Sequence, residues 1–121
     1  MTPTIIDWLR GVIAAQPPGN HIIAFNIGLF ETEDYFCVYL SGARAYVETS
    51  DEWAIRPDYY PTNAFFGLHE QGSGYTWESC LSEVRDAVSE ALTTGLLEGT
   101  PLAKARAVTV GFDDGDLHRI K

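Results

Sequence analysis

A chain of 121 residues, 45% hydrophobic and carrying six Phe, six Tyr and three Trp, is sized for one domain over residues 1–121. It is too aromatic for disorder, and long enough to bury a core without disulfides or metals. Seventeen acids against eight bases leave a net charge of −9, a field that disfavours nucleic acid and anionic membranes and attracts basic partners.

Thr2-Pro3 reads as the cap and first position of a helix with Ile5, Leu9, Val12, Ile13 and Gln16 on one stripe. Pro17-Pro18-Gly19-Asn20 ends it. Ile22 to Phe30 reads as a strand, Glu31-Thr32-Glu33-Asp34 as a turn, and Tyr35 to Ser41 as the returning strand of a hairpin. In that second strand Phe36, Val38 and Leu40 alternate with Tyr35, Cys37 and Tyr39. Ser41-Gly42 reads as a break or bulge, with Ala43 to Val47 continuing as a further strand.

From Glu48 to Gly74 the pattern is irregular. Asp51-Glu52-Trp53-Ala54 suits one helical turn, and Ala64 to Leu68 a short strand or packed segment. The stretch from Thr76 to Leu92 then supplies the dominant helix. Trp77, Cys80, Leu81, Val84, Ala87, Val88, Ala91 and Leu92 recur at spacings of three and four. Thr76 is its N-cap, Tyr75 and Cys80 suit a hydrophobic staple, and Gly95 and Gly99 offer stops. Thr100-Pro101 opens a short turn. Ala105 to Phe112 is a strand, Asp113-Asp114-Gly115-Asp116 a hairpin turn, and Leu117 to Ile120 a last short strand. The order predicts an α+β fold: an antiparallel sheet with the N-terminal helix and the long amphipathic helix, about residues 76–94, packed on one face.

The chemistry-bearing residue types do not assemble into a known catalytic pattern. His21, His69 and His118 are scattered without zinc spacing, so no metal is expected. Asp113-Asp114-Gly115-Asp116 lacks the alternating ligands and distal Glu of a calcium loop. Gly72-Ser73-Gly74 precedes a helix, but no Lys follows it and Glu70 and Glu78 flank it, against a phosphate cradle. Ser73 does not fit the nucleophile-elbow pattern. Basic patches with interleaved aromatics are missing, which argues against nucleic-acid binding. The expectation is no catalytic residue, no cofactor and no membrane contact. Cys37 and Cys80 read as buried thiols, and no signal peptide or membrane-length apolar run is visible, so a cytoplasmic location is expected.

The acids are unevenly spread. Residues 31–60 hold Glu31, Glu33, Asp34, Glu48, Asp51, Glu52 and Asp58 against Arg44 and Arg56. Within that region Asp51, Glu52, Trp53, Asp58, Tyr59 and Tyr60 are the candidate partner-binding residues, because Trp, Tyr and Arg dominate binding hot spots and here lie among carboxylates. The competing reading of Trp53 is a satellite core residue folded over the sheet edge.

Two stretches carry a family resemblance: Gly28-Leu29-Phe30-Glu31 through Tyr35-Phe36-Cys37-Val38-Tyr39-Leu40-Ser41-Gly42, and Asp51-Glu52-Trp53-Ala54 followed by Asp58-Tyr59-Tyr60-Pro61. Together with size and acidity they resemble small bacterial immunity proteins of polymorphic toxin systems. The resemblance implies a cytosolic protein that binds a cognate toxin, often a basic nuclease, one to one and without catalysis. The alternative expectation is a small structural or regulatory subunit that forms a homodimer or pairs through a strand edge.

Overall fold

The computed structural model describes residues 4–55, 57–62, 64–72, 74–113 and 115–121. Its elements are α1 (Ile5–Ala15), β1 (Ala24–Glu31), β2 (Tyr35–Ala43), α2 (Glu52–Ile55), β3 (Phe65–Glu70), α3 (Trp77–Thr94), α4 (Pro101–Lys104), β4 (Ala107–Phe112) and β5 (His118–Arg119). They build an α+β fold around one five-stranded sheet in the order β3-β2-β1-β4-β5.

The two long helices cover one face. Phe25, Ile27 and Leu29 of β1, Phe36, Val38 and Leu40 of β2, and Val108 and Val110 of β4 share a core with Ile5, Leu9, Val12 and Ile13 of α1 and Cys80, Val84, Val88 and Ala91 of α3. Fully burying a Leu, Ile or Phe side chain contributes about 1.5–3 kcal/mol, so this layer dominates folding. Thr76 caps α3 by accepting the Ser79 N–H, and Gly95 ends it in the left-handed conformation (φ 83°), where a side chain would be strained.

Three of the four strand pairings are antiparallel, as expected, but β1 and β4 run parallel and the sheet is mixed. The chain leaves β3, crosses through α3 and α4, and re-enters the sheet from the end at which β1 began, which is how a helical crossover produces a parallel neighbour. Other boundaries also move. The α1 cap is Thr4, in a reciprocal capping box with Asp7; Thr2 and Pro3 lie outside the described residues. β2 does not break at Ser41-Gly42 but runs to Ala43, because Gly42 pairs with Phe25 and exchanges backbone hydrogen bonds with Tyr59. The register shift lies instead between Phe36 and Cys37, opposite β3. After Ala43 the chain leaves the sheet, so no strand continues to Val47.

The second sheet face is built from small residues. Ala24, Ala43 and Ala107 form one row across it, and Asn26, Ser41 and Thr109 the next, with Thr109 Oγ1 donating to Asn26 Oδ1 at 2.9 Å. The segment 44–58 lies over the alanine row, where Trp53 and Tyr46 meet edge-to-face at 5.2 Å. The remainder of this face is open.

Candidate partner-binding surface

The open part of the face is an aromatic trough. Its floor depends on Gly28, since any side chain there would run into the Tyr39 ring from the neighbouring strand. Tyr39 therefore lies across β1 and donates its hydroxyl to Asp113 Oδ1 at 2.5 Å. Burial, then this hydrogen bond and the Asp113 charge, push the Tyr39 phenol well above its ordinary range. Phe65, Phe30, Tyr39 and Tyr60 follow one another across the trough, with ring centroids 5.5, 6.0 and 5.8 Å apart. Such offset and edge-on pairs contribute about 0.5–1.5 kcal/mol each beyond burial.

The trough encloses about 470 Å³, with Ile55, Tyr60 and Phe65 on its rim. These three are 71%, 54% and 52% exposed. A second hollow of about 380 Å³ continues it past Tyr39 and Asp113 to Asp51, Phe112 and Leu117. Among the described residues, the charged ones lining the two hollows are Asp51 and Asp113, both acids.

Topology extends this bias to a whole end of the molecule. The β1–β2 turn, the end of β3, the start of α3 and the loop after β4 all lie at one end of the sheet. They bring together Glu31, Glu33, Asp34, Glu70, Glu78, Asp113 and Asp116. No Lys or Arg among the described residues joins them. Arg44, Lys104, Arg106 and Lys121 belong to the opposite end, where Lys121 Nζ donates to the carbonyls of Ala103 and Ala105. Arg10 reaches the Leu96 carbonyl, and Arg119 pairs with Glu48 at 3.1 Å.

The six residues singled out in the sequence separate in space. Trp53 is 9% exposed and packs into the satellite cluster. Asp58 accepts the Arg44 N–H, at 2.8 Å. Tyr59 packs edge-on against Phe25 and donates its hydroxyl to the Gln16 carbonyl at 2.6 Å; burial pushes its phenol up to about 12. Asp51 lines the second hollow, Tyr60 lines the trough, and Glu52 is exposed beside them.

Sequence reasoning does not single out Phe30, Tyr39, Ile55, Phe65 or Asp113 as binding residues. The alternation of Tyr35, Cys37 and Tyr39 against Phe36, Val38 and Leu40 was the available signal for Tyr39. Trp77, read as part of the buried helical stripe, is instead 53% exposed at the start of α3. Ser73 of the glycine pair lies outside the described residues, as do Arg56 and Asp114. Among the described residues no three His, Cys, Asp or Glu side chains gather as a metal-ligand set, and no helix is long and apolar enough to cross a membrane. Cys37 and Cys80 are both free. No protein-family model, curated protein or solved structure matches the chain.

Proposed function

We propose that this is a non-catalytic, cytoplasmic protein-binding module that captures a basic protein, in the manner of an immunity protein silencing a toxin. The observation that carries this reading is that the aromatic trough reaches, at Asp113, the end of the sheet whose described Asp, Glu, Lys and Arg residues are all acids. Exposed aromatics supply contact area, and unbalanced carboxylates steer a positive partner and raise its association rate at low salt. The sequence resemblance to immunity proteins points the same way. In this reading Asp51, Glu52 and Tyr60 would touch the partner directly, while Trp53, Asp58 and Tyr59 hold the segment that carries them.

The test is a tagged pull-down from the source cell at low and moderate salt. The wild type runs beside Tyr60→Ala/Phe65→Ala and Glu33→Gln/Asp34→Asn/Asp116→Asn. One stoichiometric basic protein, retained by the wild type and weakened in both variants, is the expected result. No retained protein at either salt, or one held equally by all three, would overturn the reading.

A second reading is self-association. β3 ends the sheet, and Phe65 is exposed on it; an open edge can accept another strand. Sedimentation decides between them, since a stable homodimer at low concentration favours edge pairing and a monomer favours capture of a different protein.

A further inference from the structure

We propose that a notch at the acidic end, formed by Trp77, Phe112 and Glu31, receives an arginine side chain of the partner. This deepens the preceding reading and rests on it for the identity of the partner class. The notch encloses about 280 Å³ and is lined by Glu31, Trp77, Phe112 and Gly115. It shares Phe112 and Gly115 with the second hollow, so it continues the binding surface around the end of β4.

Its walls are two rings at right angles, with centroids 6.1 Å apart. A planar cation stacked on the indole face would have Phe112 beside it and the Glu31 carboxylate in the same notch to balance its charge. The Glu31 carboxylate accepts no hydrogen bond from a described residue, and the residue is exposed at the end of β1. The remaining wall is apolar and suits the aliphatic stem of a long side chain. Indole faces attract cations best of the aromatic rings. Guanidinium is less strongly hydrated than ammonium and pairs with a carboxylate through two parallel hydrogen bonds, which selects Arg over Lys.

Charge favours the same occupant. The amide groups opening α3 carry a partial positive charge of about half a unit. Glu31 and Glu78 outweigh it with whole charges, and no described Lys or Arg lies at this end. Nothing in the packing requires a tryptophan here, because the α3 core contacts are made from Cys80 onward.

The experiment is a heteronuclear NMR titration of the isotope-labelled protein with three capped tripeptides, Gly-Arg-Gly, Gly-Lys-Gly and Gly-citrulline-Gly. Each of the three tryptophans carries one indole N–H, so Trp8 and Trp53 serve as internal references for Trp77. The Arg peptide is expected to shift the Trp77 indole and the Gly115 amide saturably. In Glu31→Gln, which keeps the side chain's size and removes its charge, the same shift should need about tenfold more peptide, the effect of losing one charge-assisted hydrogen-bonded pair. The citrulline peptide, the same shape without charge, should leave Trp77 in place. Equal shifts from citrulline, equal shifts from Lys, or Arg-induced shifts that spare Trp77 would each overturn the proposal. Because the titration uses no cellular partner, it separates the two readings. A failed pull-down with a positive titration removes the capture function and keeps the notch; the opposite pair of results removes only the notch.

Discussion

At the scale of single residues, the candidate surface depends on Gly28 and Tyr39. The ring fits only because its cross-strand neighbour has no side chain. Gly28→Ala should therefore destabilise the protein by about 1–3 kcal/mol, the usual cost of overpacking a fitted site. Tyr39→Ala in the same chain should return most of that loss, since it removes the ring the new methyl would strike. Urea unfolding of the two single variants and the double variant measures this coupling directly; additive losses would show that the ring moves aside freely. The half-buried phenols set a second expectation. Tyr39, Tyr59 and Tyr75 all have pKa values raised above the ordinary 10, Tyr59 to about 12. The folded state then holds protons that the unfolded state releases, so unfolding gains from rising pH. Their contribution should be complete below about pH 10 and fall away as pH climbs through 12 and beyond. Phenolate absorbance followed against pH should show a late component from Tyr39, Tyr59 and Tyr75 that appears together with loss of structure.

At the scale of elements, the segment 44–58 determines how much of the second sheet face is left open. It is held by Trp53 on three alanines, by the Asp58 bond to Arg44 N–H, and by Tyr59 at Gly42 and Gln16. Trp53→Ala should cost about 3 kcal/mol, the low end for a large aromatic in a core, because its site is a small cluster at the margin. Amide hydrogen exchange should quicken over residues 44–59 and remain slow in β1 and β4; uniform quickening would mean the segment is part of the main folding unit. The same segment marks where sequence reasoning stops. Period-three-and-four spacing identified α1 and α3, and period-two spacing identified the β1–β2 hairpin, because each of these elements buries one regular face. Trp53 and Tyr59 follow no period, since they pack on surfaces supplied by distant strands. The parallel direction of β4 was hidden for a related reason: the alternation of Val108, Val110 and Phe112 marks its core-facing side but reads the same whichever way the strand runs. Trp77 fits the helical stripe by spacing, yet it sits one turn before the sheet begins to cover α3.

At the scale of the whole molecule, charge is separated along the strand axis. Acids at sequence positions as far apart as 31 and 116 meet at one end through the placement of the turns, so a count along the chain locates only part of them. Crowding like charges costs stability, and partner-binding sites are one place where a fold can retain that cost. If the cost is local, salt should relieve it locally. Between about 0.01 M and about 0.15 M ionic strength the Debye length falls from about 30 Å to about 8 Å, so repulsion across the acidic end is largely screened. The urea midpoint of the wild type should rise over that range. Glu31→Gln/Glu33→Gln/Asp34→Asn should begin with a higher midpoint at low salt and gain less from added salt. The proper comparison is Glu52→Gln/Glu90→Gln/Glu98→Gln, which removes the same three charges from exposed positions away from that end. A control that behaves like the wild type places the repulsion at the acidic end. Equal behaviour of the two triple variants would show that only the net charge of −9 matters, and the acidic end would then have no electrostatic advantage over the rest of the surface in attracting a basic partner.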